Sequence, residues 1–208
     1  MLNYFDIDPR LNIKQPADIL SLPVTVWVND FNEKSVKEFA ASFSTAHQTG
    51  QPVIPVVIDS YGGIIHSLFA MMDIVKASKI PVATIVTGKA MSCGAVLFSC
   101  GQVRYIAPSG YCMIHEVLTG DFSKVTEFNA TADHANNLNN VLMERMALNC
   151  GHKPSYFKEI IHEKGHADWH LDATECIKHN LANHIGIPQF VTRINVEYRF
   201  TLNDRTQI

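Results

Sequence analysis

Short β-branched segments alternate with amphipathic helical segments through the first half of the chain, and this alternation restricts the possible folds strongly. Residues 24–28, 53–58 and 82–86 have the composition of buried strands. Helical spacing of large apolar residues follows the first two of these segments, over residues 32–47 and 64–77. Strands separated by helices predict βαβ units, in which helices cover a parallel sheet. The chain is therefore expected to be an α/β protein with a layered fold.

The second half continues the pattern with shorter strands and a longer helix. Gly88 is expected to end the third strand, and an apolar helix that should be buried begins near Ser92. Further strands are predicted at 103–107 and 111–114, and helices at 123–149, 154–163 and 173–180. Alternating apolar residues over 194–202 predict a half-buried strand. Residues 1–20, interrupted by two prolines, are expected to form an N-terminal arm.

Composition limits the class of protein. A chain of 208 residues with 47% hydrophobic composition can bury one substantial core, so residues 1–208 are expected to form a single domain. The net charge is -3 and the basic residues are scattered, which argues against nucleic acid or a membrane as a partner. The sequence predicts neither a secretory signal nor a transmembrane segment, and its five cysteines are an odd number. A cytoplasmic protein with reduced thiols is expected.

Glycines stand at two places where a predicted strand gives way to a predicted helix, in residues 59–63 (DSYGG) and 88–95 (GKAMSCGA). Free backbone N–H groups and the positive end of a helix dipole converge at such a junction, which makes it a candidate anion site. Ser92 lies in the second junction. It is either a helix N-cap or an activated nucleophile, and a nucleophile requires a base and an orienting carboxylate from elsewhere in the chain.

Four segments of the chain resemble motifs of the Clp protease proteolytic subunit, the ClpP family. Residues 88–95 resemble its nucleophile segment G-x-A-x-S-x-G-A, and residues 59–63 resemble its N-S-P-G-G turn. Residues 113–115 (MIH) are similar to the segment that supplies the base, and residues 168–175 (DWHLDATE) resemble the D-x-x-L-S/T-A-x-E stretch that supplies the carboxylate. Each motif is weak alone, but their order and spacing make the resemblance specific over about residues 24–187.

The resemblance implies a serine-type endopeptidase with a Ser-His-Asp catalytic triad. Ser92 would be the nucleophile, His115 the base and Asp168 the carboxylate that fixes the imidazole tautomer. The N–H groups of Gly63 and Cys93 would form the oxyanion hole. Such a site needs neither a metal nor another cofactor, and the Cys93 thiol is expected to be a buried neighbour of the nucleophile.

The resemblance also implies a fold and an assembly. The fold is the ClpP/crotonase-like layered arrangement of repeated ββα/βαβ units, with residues 123–149 as a protruding long handle helix. The assembly is a homo-oligomer of stacked heptameric rings that takes polypeptide substrates. A AAA+ unfoldase partner would make proteolysis ATP-dependent, with ATP bound by that partner. Residues 188–208 lie beyond the resemblance and are expected to be a C-terminal extension.

Other interpretations of the same residues remain open. His115 has a structural interpretation, and Asp168 has one as a helix cap. Residues 162–166 (HEKGH) match H-E-x-x-H, which on a continuous helix binds zinc and supplies a glutamate base. Gly165 weakens a helix inside that motif, and its neighbours are polar, so we interpret the match as fortuitous.

Several residues depart from the family pattern. Tyr61 replaces the turn proline, which predicts a more flexible turn. Ala167 replaces an arginine and Lys124 falls near a common glutamine, which predicts altered contacts between rings. Pro55 and Val57 replace aromatic residues that line the docking groove for the unfoldase, so the resemblance supports that partner less strongly than it supports the triad.

The function predicted from the sequence is hydrolysis of unfolded proteins or peptides through an acyl-enzyme, inside a ring-shaped oligomer. Three alternatives remain open. They are a phage-type capsid maturation protease of the same fold, a crotonase-like acyl-CoA enzyme that uses paired N–H groups without a triad, and a catalytically inactive structural ring subunit.

Overall fold

The computed structural model describes residues 22–118 and 125–189. Within these ranges seven strands form one sheet: β1 (Val26–Val28), β2 (Ile54–Ser60), β3 (Val82–Met91), β4 (Val103–Ile106), β5 (Tyr111–Ile114), β6 (Trp169–Leu171) and β7 (His184–Ile185). The helices described are α1 (Glu33–Ala46), α2 (Ile65–Ala77), α3 (Cys93–Ser99), α4 (Val125–Asn149), α5 (Tyr156–Glu163) and α6 (Ala173–Lys178). Helices follow β1, β2 and β3 in turn, as the sequence predicts.

The sheet is mostly parallel. Strands β1, β2, β3, β4 and β7 lie side by side in that order, and each neighbouring pair is parallel. Beyond its contact with β4, β3 also pairs in parallel with β5, and β5 pairs antiparallel with β6. One hydrophobic core joins the inner residues of β1, β2 and β3 to α1, α2 and α3. The predicted α/β layered fold is confirmed.

Helix α1 shows how the local sequence fixes an element. Asn32 is its N-cap: the side chain accepts the Ser35 N–H at 2.9 Å, and the Asn32 N–H donates to Ser35 Oγ at 2.9 Å. This reciprocal pair satisfies two backbone groups that the first turn leaves free. Phe39 and Phe43, four residues apart, are both buried and stack at 5.0 Å between ring centroids. The helix is therefore anchored on the sheet by one apolar face.

Two predictions about the strands are wrong. Gly88 does not end the third strand, because β3 continues to Met91. Between Ile58 and Ser60 of β2, the partner in β3 moves from Val86 to Ala90, so β3 carries two extra residues there. Before the bulge β3 pairs with β4, and after the bulge it pairs with β5. The first strand is also shorter than predicted.

Strands β6 and β7 were not predicted from the sequence, because three and two residues are too few to show a periodic pattern. Helix α4 confirms the predicted long helix from Val125 onward. The N-terminal arm, Lys124 and the strand expected over 194–202 lie outside the described residues. In the described part of the chain, no helix combines the length and apolar character needed to cross a membrane.

Candidate active site

The segments that carry the predicted site residues meet at one edge of the sheet. Because β2, β3 and β5 are parallel, their carboxyl ends lie at the same edge. Gly63, Ser92 and His115 follow those three ends. Strand β6 is antiparallel to β5, so Asp168, which precedes β6, belongs to the same edge. The topology thus gathers residues that are far apart in the sequence.

Ser92 occupies a strained turn between β3 and α3. Its backbone has φ 54° and ψ -119°, a conformation that costs a non-glycine residue free energy. Its N–H donates to the Met113 carbonyl at 2.8 Å, which ties the turn to β5. Ser92 occupies the N-cap position of α3, but its side chain makes no capping hydrogen bond, so the hydroxyl does not serve as the cap. A serine on a sharp turn from strand to helix is typical of an exposed nucleophile.

The glycine turn after β2 packs directly against Ser92. Gly62 has φ +111°, and a Cβ atom on it would lie 2.8 Å from the Ser92 Cβ. Gly63 has φ +149°, and its Cβ would lie 2.6 Å from the Phe31 carbonyl oxygen. Only glycine fits both positions without displacing backbone or the serine. The turn therefore approaches Ser92 more closely than any other residue type would allow.

Two backbone N–H groups beside Ser92 are available as donors. In the described part of the chain, neither the Gly63 N–H nor the Cys93 N–H donates to a protein acceptor. The Cys93 thiol donates to the Gly63 carbonyl oxygen at 3.3 Å, which joins the two junctions. Burial raises the pKa of the Cys93 thiol, which disfavours the nucleophilic thiolate. Gly63 and Cys93 therefore offer the cleft backbone N–H donors rather than a reactive thiol.

The register of β5 and β6 sets His115 opposite Asp168. Ile114 pairs with Trp169, and the antiparallel register continued by one residue pairs His115 with Asp168. Directly opposed residues of an antiparallel pair have Cβ atoms about 4.5–5.5 Å apart. The two backbone segments are therefore adjacent, although no ion pair joins the Asp168 carboxylate to the His115 ring among the described residues. The helix-cap interpretation of Asp168 is wrong, because Asp172 caps α6 by accepting the Glu175 N–H at 2.8 Å.

Contacts on both sides hold the β5–β6 pair in place. The His166 Nδ1 atom lies 2.9 Å from Glu116 Oε2, which links the segments that leave β5 and enter β6. Trp169 is buried and makes an edge contact with the His179 ring at 4.7 Å between centroids. Tyr156 Oη in turn bonds His179 Nδ1 at 2.8 Å. The strand that follows Asp168 is thereby packed against α5 and α6.

A cleft of about 600 Å³ opens at this edge of the sheet. Gly63, Ser92, Cys93 and His115 line it together with residues of α4. Most of the lining side chains are apolar, among them Leu68, Val96, Leu138, Leu142 and Met143. A cleft with apolar walls and a few polar groups is typical of a small-molecule or peptide site.

The structure thus brings four of the five predicted site residues into one cleft. Asp168 does not line the cleft and is placed beside His115 by strand register. Among the described residues, the side chains of Ser92, His115 and Asp168 form no hydrogen bonds to one another. Hydrogen bonds of this kind are often long in a free enzyme and shorten when substrate binds.

A charged pair ties the two glycine junctions together. Lys89 Nζ lies 2.8 Å from Asp59 Oδ1 and 4.3 Å from the centroid of the Tyr61 ring. The hydrogen bond to Asp59 raises the pKa of the Lys89 ammonium group. The Gly62 N–H also donates to Ser60 Oγ at 3.1 Å. These contacts link the turn at Tyr61 to β3, and the more flexible turn expected there remains a prediction.

For the peptide hydrolysis that the sequence leads us to expect, Lys89→Met should lower kcat/KM about tenfold, since a small displacement of reacting groups is costly. Lys89→Arg should retain most of the activity, because a guanidinium group can pair with Asp59 and stack on Tyr61. The exposed Lys79→Met is the matched control and should leave kcat/KM unchanged. Steady-state kinetics with a fluorogenic peptide measures the effect. Equal activity of Lys89→Met and Lys79→Met would contradict it.

The HEKGH segment does not form a continuous helix. Helix α5 ends at Glu163, and Gly165 and His166 have φ +69° and +61°. The His162 and His166 rings lie edge to face, 5.2 Å apart. The predicted break at Gly165 is confirmed, and the segment lacks the helical geometry that H-E-x-x-H requires. Across residues 22–118 and 125–189, no three metal-ligating side chains are grouped closely enough to bind an ion.

Several site residues were missed by sequence reasoning. The wall supplied by α4 includes His134, Asn139 and Met143, and only the spacing of its apolar residues indicated a buried face. The Asp59–Lys89 pair was also missed, although both residues lie inside the two glycine segments. The opposite charges of Asp59 and Lys89, in two junctions expected to lie close together, could have indicated the pair.

Pro55 and Val57 stand where the resemblance to ClpP implies aromatic residues of a docking groove. Pro55 and Val57 are both buried in β2. Trp27 lies beside Val57 in the register of β1 and β2, and 63% of it is exposed. An aromatic residue is therefore present on this face of the sheet, on the neighbouring strand.

The chain matches a protein-family model. The model described as Clp protease matches residues 24–189. The matched span covers well over half of the chain and includes every residue of the cleft described above.

Proposed function

Because the chain belongs to the Clp protease family, whose activity is that of a serine peptidase, we propose that it is an endopeptidase with Ser92 as nucleophile. The observation that carries the proposal is that a strained Ser92, His115 and two backbone N–H groups without an acceptor among the described residues meet in one cleft. His115 is the general base in this proposal, and Asp168 opposite it fixes the tautomer of the ring.

Acylation begins when His115 removes the proton from Ser92 Oγ and the oxygen attacks the carbonyl carbon of the peptide bond. The negative charge that develops on the carbonyl oxygen is stabilised by the N–H groups of Gly63 and Cys93. His115 then donates the proton to the amide nitrogen, the C–N bond breaks, and the amine product leaves. The acyl group remains on Ser92 as an ester.

Deacylation repeats the same roles with water as the nucleophile. His115 accepts a proton from water, the hydroxide attacks the ester carbonyl, and the proton returns to Ser92 Oγ as the acid product leaves. The reaction needs no metal or other cofactor. The Asp59–Lys89 pair supports the glycine turn that carries one of the two oxyanion donors.

The proposal extends to assembly and partners. Clp proteases generally form oligomeric rings and work with unfoldases. We propose a homo-oligomer of stacked heptameric rings, present in the cytoplasm, that receives unfolded polypeptides from an ATP-driven AAA+ unfoldase. The exposed apolar side chains of Val141 and Leu148 on α4 support a contact between subunits, and Trp27 supports contact with a partner.

A fluorophosphonate probe tests the chemical part of the proposal. The purified protein is treated with the probe, with and without a metal chelator, and the adduct is located by peptide mass spectrometry. We expect one adduct on Ser92 that persists in chelator and is absent in Ser92→Ala and His115→Ala. The exposed Ser109→Ala is the matched control and should be labelled like the wild type.

The outcomes separate the alternatives. An adduct on Ser92 that depends on His115 supports an activated serine. Absence of labelling in a protein that forms rings by analytical ultracentrifugation would favour the inactive structural subunit. Turnover of an acyl-CoA that survives Ser92→Ala would favour the crotonase-like enzyme.

A further inference from the structure

Asn139 is a buried polar side chain in an otherwise largely apolar wall of the cleft. It lies in the middle of α4 and is only 7% exposed, and it lines the same cleft as Ser92 and His115. The buried side chains one turn further along this helix, Leu142 and Met143, are apolar. Asparagine is neither a strong helix former nor a typical core residue. Its position therefore needs a hydrogen-bonding explanation.

Within residues 22–118 and 125–189, one half of the Asn139 amide has a hydrogen-bond partner and the other half has none. The Oδ1 atom accepts the Val117 N–H at 3.2 Å, which fixes the orientation of the amide, since Nδ2 cannot accept. No acceptor for Nδ2 is found among residues 22–118 and 125–189. A buried donor without an acceptor is unfavourable, so such a group in a cleft points to a missing partner.

The proposed reaction places a substrate side chain in this cleft. The carbonyl group that Ser92 attacks carries its own side chain next to it, and the open space beside Ser92 is the cleft toward α4. A side chain with a terminal acceptor oxygen would satisfy Nδ2 of Asn139. A neutral acceptor is favoured over an ionised carboxylate, because most of the cleft wall is apolar and compensates poorly for lost hydration.

We propose that Asn139 makes the enzyme prefer glutamine as the residue whose carbonyl carbon is attacked. The glutamine Oε1 accepts from Asn139 Nδ2. The glutamine Nε2 donates to Asn139 Oδ1, which has a second lone pair beside the one used by Val117. The methylene groups of glutamine contact the apolar walls. Because this inference rests on the proposed peptidase function, its test must separate the two.

Matched peptides test the preference. Two fluorogenic peptides differ only in glutamine or methionine before the cleaved bond, two side chains of the same length with and without an amide. We expect the wild type to cleave the glutamine peptide about ten- to hundredfold more efficiently in kcat/KM, because methionine leaves Nδ2 unpaired. A glutamate peptide should be cleaved less efficiently than the glutamine peptide at neutral pH.

Variants then assign the preference to one residue. Asn139→Leu, which has a similar shape and no amide, should lose the preference or favour methionine. Asn137→Leu is the matched control, because Asn137 is exposed on the same helix, and it should keep the preference of the wild type. The thermal unfolding midpoint of each variant checks that it folds. The comparison of peptides on the wild type alone needs no variant.

Each result has one meaning. Absence of fluorophosphonate labelling of wild-type Ser92 would count against the proposed function itself, since that probe carries no such side chain. Labelled protein with equal kcat/KM for the glutamine and methionine peptides would overturn the inference, and so would a glutamine preference that Asn139→Leu retains. A preference that is lost in Asn139→Leu and kept in Asn137→Leu would support it.

Discussion

Asp168→Asn is expected to lower kcat for peptide hydrolysis about 10⁴-fold while leaving the fold intact. The strand register puts position 168 opposite His115, and an asparagine there has nearly the same shape as aspartate. Its amide can present an N–H to the imidazole, which then holds the wrong tautomer and cannot accept the Ser92 proton. The loss is kinetic, so the thermal unfolding midpoint should change little because Asp168 is exposed.

Asp172→Asn is the matched control for this prediction. Asp172 lies four residues away, is also exposed, and caps α6 through its side chain. Asparagine is as good an N-cap as aspartate, so both activity and stability should remain close to those of the wild type. Steady-state kinetics and thermal unfolding of the two variants measure the contrast. Equal activity of the two variants would remove Asp168 from the catalytic residues.

Gly62→Ala is expected to lower kcat by about 10²–10³-fold through misplacement of the nucleophile and the oxyanion donors. The added Cβ would lie 2.8 Å from the Ser92 Cβ and 3.1 Å from the Met91 carbonyl oxygen, so the turn or the serine must move. The φ of +111° adds backbone strain. A shift of the turn would also displace the N–H group of the adjacent Gly63.

Gly186→Ala controls for backbone strain alone. Gly186 has a similar φ of +136°, but nothing lies within 4 Å of its Cβ position. Both variants should therefore lose stability, and only Gly62→Ala should lose most of its activity. Kinetics and thermal unfolding are compared for the pair. If the two variants lost activity to the same extent, a steric role of Gly62 at Ser92 would be excluded.

The parts of the fold that could be predicted are the long helices, in which apolar residues recur at regular spacing. The helices that became α1, α2 and α4 were expected because large apolar residues recur at helical spacing over many turns. The continuation of β3 past Gly88 was missed, because glycine in a strand can mark either an end or a bulge, and only the neighbouring strands decide which. Strands of three and two residues leave no pattern to detect.

The site was predictable to the extent that local sequence determines it. Ser92 and the glycine turn lie at junctions between strand and helix, where glycine and a small polar residue are visible in the sequence. The placement of Asp168 opposite His115 depends on the pairing of β5 with β6, and no local pattern specifies that register. The role of Asn139 depends on a backbone N–H from Val117, in a different segment of the chain. Contacts between distant segments of this kind cannot be inferred from the periodic spacing of residues in the sequence.

Because of the bulge in β3, the number of residues in segment 87–92 has a larger effect on the position of Ser92 than the identity of those residues. Residues 87–89 are held between pairs of β3 with β2 on both sides, and Ser92 follows only three residues later. Side chains alternate between the two faces of a strand, so deleting one residue here would turn Ser92 toward the opposite face. The number of residues from the bulge to Ser92 should therefore vary less among functional variants than their identity.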